Sequence, residues 1–118
     1  MGALISYYAM LLEPDIFGKA GIFSPSFWTN PSIGEFTDSL AQKLNSKFFF
    51  YAGAMESNSM ADDMQGVQDI LGAVSSSMIY SVTDLEGTHN EKAWRKWFAE
   101  FYTWIMADGF NSLLKIKD

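Results

Sequence analysis

The sequence predicts an α/β fold, with about three parallel strands and flanking helices, and three observations carry that reading. Stretches of helical periodicity alternate with short apolar runs in the order helix, strand, helix, strand, helix, strand, helix, the order that parallel strands with crossover helices require. Pro and Gly stand at the joins, where the pattern changes period. Finally, 118 residues of which 48% are hydrophobic suit one core of ordinary size, with no internal repeat and no low-complexity segment.

Each element follows from its own residues. Residues 3–12 (ALISYYAMLL) are apolar on nearly every side, the mark of a helix buried on more than one face. Pro14, in EPDIFGKAG, ends it. KAGIFSP, 19–25, is a short apolar run between Gly and Pro and reads as a buried strand. A polar loop with Pro31 leads to a helix from about Ser32 to Leu44, and SKFFFYAG, 46–53, is the strongest strand signal. Residues 59–75 form a helix with Met60, Met64, Val67, Ile70, Leu71 and Val74 at steps of three and four, and SMIYSVTD, 77–84, is the third strand. The last helix, 89–107, carries Trp94, Trp97, Phe98, Phe101, Trp104 and Ile105 along one stripe, which reads as core packing. Its start matches a capping box, with Thr88 capping and Glu91 reaching back. The tail to Asp118 has no clear pattern.

Composition excludes several functions. A net charge of −6 with no basic stripe argues against nucleic acid as a partner. Without cysteine there is no disulfide, thiol nucleophile or Cys-based metal site, and one histidine with loosely spaced acids is too few for other metal sites. No cofactor is expected, since glycine-rich phosphate loops are absent. The apolar start lacks a basic leader and is interrupted by Glu13, Pro14 and Asp15, so it reads neither as a signal peptide nor as a membrane span. Nothing indicates a compartment.

The residues that can carry chemistry gather after the strands. His89 follows the third strand and falls in the first turn of the last helix, the edge where open parallel sheets hold reactive groups. Glu56 stands equivalently after the second strand, and a carboxylate there can orient an imidazole. Asp62 and Asp63 are rival acids that fall inside the next helix, while Asp84 and Glu86 suit turn or surface roles. Ser24 and Ser26, in FSPSFW, can line a site after the first strand, although a Pro-containing turn explains them equally well. Nothing in that turn creates the strained elbow of a nucleophile.

MGALISYY can be set against the nucleophile-elbow pattern G-x-S-x-G, with Gly2 as the last glycine and the serine directly before Met1. MGALISYYAMLLEPDIFGKAGIFSPSFW resembles the segment following the nucleophile in the esterase group of the α/β-hydrolases that includes the enterochelin and other siderophore esterases, the S-formylglutathione hydrolases and related carboxylesterases. SPSFW resembles that group's serine-proline-serine-aromatic segment, and GTHNEKAW its segment around the catalytic histidine. The resemblance spans roughly residues 1–105. It implies His89 as general base, Glu56 as the orienting acid, the Met1 backbone N–H in an oxyanion hole, and Ser24, Ser26 and Trp28 on the substrate side.

It further implies that residues 1–118 form a single partial domain, the C-terminal portion of an α/β-hydrolase fold, starting just after the nucleophile. Such a chain is expected to be inactive by itself. The substrate of the complete enzyme would be a carboxylic ester. The alternative expectation is a non-catalytic half-domain that self-associates or is covered by another chain, because a three-stranded sheet leaves apolar faces and edges open.

Overall fold

The computed structural model describes residues 2–107. Their order is α1 (Gly2–Leu12), β1 (Lys19–Phe23), α2 (Ile33–Leu40), β2 (Lys47–Gly53), α3 (Met60–Val74), β3 (Met78–Asp84) and α4 (Glu91–Met106), with short 3-10 turns at Phe27–Thr29 and Ala41–Lys43. The three strands form one parallel sheet in the order β1-β2-β3. Ala20 pairs with Phe48 and Phe48 with Ile79; Phe23 pairs with Tyr51 and Tyr51 with Val82. The fold is α/β, as the alternation requires.

The pleat divides the strands between two layers. Ile22, Phe48, Phe50 and Ala52 pack with Leu4, Tyr7 and Met10 of α1 and Met64, Val67 and Leu71 of α3. On the other face Phe23, Phe49, Tyr51 and Tyr80 meet the rings of Trp97, Phe101 and Trp104 from α4. β2 is therefore covered on both sides and every residue of it is buried, which is why it reads as a continuous aromatic run rather than an alternation. Each Phe so enclosed contributes about 1.5–3 kcal/mol.

One charge enters that strand. Lys47 is buried, and its Nζ donates to the carbonyls of Trp104 (2.7 Å) and Ala107 (3.2 Å) while lying 4.5 Å from the Trp104 ring centre. A cation at the C-terminal end of α4 satisfies its last carbonyls and complements the helix dipole.

Three boundaries and one burial pattern depart from the sequence reading. β1 stops at Phe23 because Ser24 turns to φ 56° and Pro25 has no N–H for the ladder. The helix expected to Leu44 ends at Leu40 and tightens into a 3-10 turn before Leu44 goes extended into β2. α4 starts at Glu91, and its cap is Asn90, whose Oδ1 accepts from the Ala93 amide; the Thr88–Glu91 box does not form. Thr88 instead bonds to the Asn90 amide side chain, so His89 precedes the helix rather than lying in its first turn. α1, finally, is buried along one side only: Leu4, Tyr7, Met10 and Leu11 are enclosed, whereas Ile5 is 61% exposed.

Chain direction places the start of α1. The turn after α1 runs to Gly18, whose carbonyl accepts from the Lys47 amide at the beginning of β2. Tyr7 packs edge-on against Phe27, beyond the end of β1, with centroids 5.2 Å apart. α1 therefore runs antiparallel to β1 and opens at the C-terminal edge of the sheet. Among the described residues no helix is long and apolar enough to cross a membrane.

Candidate active site

Two loops meet where β2 and β3 end. The Ala54 amide donates to the Asp84 carbonyl (2.8 Å) and the Met55 amide to the Gly87 carbonyl (3.0 Å), extending the β2–β3 ladder past the last pair. This needs glycine at both crossing points. A Cβ on Gly53 would stand 2.5 Å from the Gly87 carbonyl oxygen, far inside contact distance. The crossing carries Glu56 on one loop towards His89 on the other.

Glu56 and His89 are joined, Oε1 to Nδ1, at 2.7 Å. The Glu56 side chain is fully enclosed while that of His89 is 64% exposed. The other carboxylate oxygen, Oε2, accepts from the Gly53 amide (2.8 Å) and from the Ser24 hydroxyl (2.7 Å). Ser24 in turn accepts from the Trp94 indole N–H at 2.9 Å, and the Trp94 ring stands edge-on to the imidazole with centroids 4.9 Å apart. A carboxylate can only accept, so Nδ1 carries a proton, and in the neutral ring it is Nε2 that holds the lone pair. No described residue bonds to Nε2, and the His89 side chain is largely exposed. The arrangement can take a proton at Nε2, hold the resulting imidazolium against a buried carboxylate, and return it.

The surrounding charges are fixed separately. The Trp97 indole N–H, 3.0 Å from Asp84 Oδ2, holds that carboxyl below its usual range; burial opposes this, and the Glu86 amide and Lys96 add to it. Tyr51 is fully buried beside the crossing, its hydroxyl has no partner among the described residues, and its pKa is pushed up to about 12 by burial and by the negative charges of Asp84 and Glu56.

The sequence-predicted residues thus separate into groups. His89 and Glu56 come together. Ser24 joins them, but its hydroxyl is enclosed and points at Glu56 and Trp94. Ser26 is half-buried, and its carbonyl caps the following turn by accepting from Thr29. Trp28 is 47% exposed and lines a different hollow of about 410 Å³ with Asn30, Pro31, Asp62, Asp63 and Gly66. The rival acids therefore lie there, Asp84 belongs to Trp97, and Glu86 is exposed. Met1 lies outside the described residues, as does the tail from 108. Trp94, which the apolar stripe places in the core, stands at the site instead; its place at the fourth residue of a helix that follows His89 is the sequence signal for that role. No family model matches the chain, and comparison with curated proteins and with solved structures finds no match.

Proposed function

We propose that this chain carries the acid–base half of a serine esterase of the α/β-hydrolase type, acting on carboxylic esters. The observation that supports it is the 2.7 Å bond between His89 Nδ1 and Glu56 Oε1, with Nε2 left open at the C-terminal edge of a parallel sheet. In this reading a serine on the turn that opens α1, one residue ahead of Met1, attacks the ester carbonyl. His89 takes the hydroxyl proton at Nε2 and delivers it to the leaving alcohol, then activates the water that releases the acyl group. Glu56 fixes the tautomer and stabilises the imidazolium. The opening of α1 at the same edge as His89 supports the elbow's position, since a nucleophile elbow joins a strand end to a helix start. By this reading residues 1–118 alone do not hydrolyse esters.

The test begins with the coding DNA ahead of the Met1 codon. A G-x-S triplet in frame, and hydrolysis of p-nitrophenyl esters by the extended chain that falls roughly 10²–10⁴-fold in His89→Ala, is the expected result. An extended chain that leaves such esters intact, or hydrolyses them equally without His89, overturns it.

A second reading, a non-catalytic half-domain that associates with another chain or with itself, is favoured by the exposed apolar surface. Ile5 and Leu12 of α1 and Phe98 and Tyr102 of α4 are open to solvent, and among the described residues β1 and β3 each pair on one edge only. Surface of this kind marks an interface. Sedimentation velocity giving a monomer at high concentration counts against it.

A further inference from the structure

Ser24 is the one non-glycine residue with positive φ among the described residues, at 56°, and it directly precedes proline. Both facts are unfavourable. A side chain in the left-handed region costs of order 1–3 kcal/mol, and a residue before proline prefers extended backbone. Serine also lacks the excuse of an exposed turn, because Ser24 is buried. Glycine would adopt the same backbone freely, so the hydroxyl is what the position requires.

That hydroxyl is held in a chain of fixed polarity. The indole N–H of Trp94 can only donate and the Glu56 carboxylate can only accept, so the order Trp94 Nε1–H to Ser24 Oγ–H to Glu56 Oε2 is the one sense available. The Ser24 amide adds a bond to the Tyr51 carbonyl (2.8 Å), which ties the turn to β2. Trp94 touches both ends of the system, the serine through its N–H and the imidazole through its ring.

We propose that Ser24 and Trp94 are positioning residues: together they lock the Glu56 carboxylate in the rotamer from which Oε1 holds His89 in its Nδ1–H tautomer. Backbone strain is retained at Ser24 because only that φ turns the hydroxyl inward onto Glu56. The proposal rests on reading Glu56 and His89 as an acid–base pair, but its test reads the pair itself and needs no hydrolysis, so it fails or stands independently of the esterase reading.

The experiment is ¹⁵N NMR of the imidazole in the full 118-residue chain, comparing wild type with Ser24→Gly and Trp94→Phe, alongside thermal melting. Ser24→Gly relieves the backbone while removing the hydroxyl; Trp94→Phe keeps a ring against His89 while removing the donor. The expected result is a folded Ser24→Gly, in which strain relief offsets much of the cost of the groups left unpaired, with the Nδ1–H proton exchanging about tenfold or more faster, as loss of one bond to a charged group implies. Trp94→Phe is expected to move exchange in the same direction. Unchanged Nδ1–H exchange and tautomer in either folded variant overturns the proposal. Should Ser24→Gly fail to fold, strain relief at φ 56° is refuted and the proposal falls with it.

Discussion

Gly53 and Gly87 meet backbone to backbone: a Cβ on Gly87 would lie 2.8 Å from the Gly53 Cα and 2.6 Å from the Tyr51 hydroxyl. Neither neighbour can yield easily, because one is main chain in the central strand and the other is a fully buried ring. Gly87→Ala is therefore expected to destabilise by about 1–3 kcal/mol, the range for overpacking, and to part His89 from Glu56. Urea unfolding and the Nδ1–H resonance check the two effects; a variant normal in both would show that the loops do not need this contact.

Glu56 accepts from three donors inside an enclosed site, so its two simplest replacements separate charge from space. Glu56→Ala leaves the Gly53 amide and the Ser24 hydroxyl facing a void, and a loss of about 1–3 kcal/mol is expected from the unpaired groups. Glu56→Gln keeps the volume. Its amide oxygen can still accept from Ser24 and Gly53, which turns its NH₂ towards His89 Nδ1 and reverses the imidazole tautomer. Imidazole ¹⁵N shifts that show Nε2–H in Glu56→Gln are the expected outcome, and an unchanged Nδ1–H form contradicts the hydrogen-bond order described here.

How much of this was legible depended on the range of the forces involved. Burial on both faces wrote FFFY into β2 directly, and the three- and four-residue steps of α3 follow from one packed stripe. In α4 Trp97, Phe101 and Trp104 pack on the sheet as the stripe requires, whereas Phe98, on the same stripe, is 54% exposed. The pairing of Glu56 with His89 was legible only as position, two groups after parallel strands. What brings them to 2.7 Å is the Gly53–Gly87 crossing, a backbone contact between loops 34 residues apart in numbering (87 − 53). Ser24 read as a hydroxyl lining a site because nothing in SPS announces a positive φ. Thr88 and Glu91 had the spacing of a capping box, but Asn90 is the stronger competitor, since its short amide reaches the Ala93 N–H.

Asp84 predicts an acid-side signature. Its folded pKa lies below the ordinary 3.8, chiefly through the Trp97 indole bond, so its contribution to stability is complete above that ordinary value. The contribution is lost as pH falls through the lower folded value, because the unfolded state binds the proton first. Trp97→Phe removes the donor and keeps a ring. Urea midpoints measured from neutral pH down through the carboxylate range should fall less steeply in Trp97→Phe than in wild type, and identical acid limbs would remove Asp84 from the account.

Tyr7 and Tyr51 make a matched pair with opposite expectations. Both are fully buried, and both are raised from 10.0 to about 12 with burial as the leading cause. For such a group the protonated form is favoured by folding, so its share of stability is intact below the ordinary 10.0 and is lost as pH climbs towards 12. Their hydroxyls differ. Thr37 gives its own proton to the Ile33 carbonyl (2.8 Å), which leaves Tyr7 to donate to Thr37 Oγ1 at 2.7 Å. Tyr51 has no partner among the described residues. Tyr7→Phe is thus expected to cost about 1 kcal/mol, and Tyr51→Phe to stabilise by a similar amount, since an unpaired buried hydroxyl is removed without a cavity. Each change also takes one proton out of the alkaline transition, so the loss of stability above pH 10 should be shallower in both. Urea midpoints at neutral pH settle the first contrast; destabilisation by Tyr51→Phe would mean that its hydroxyl is bonded in solution.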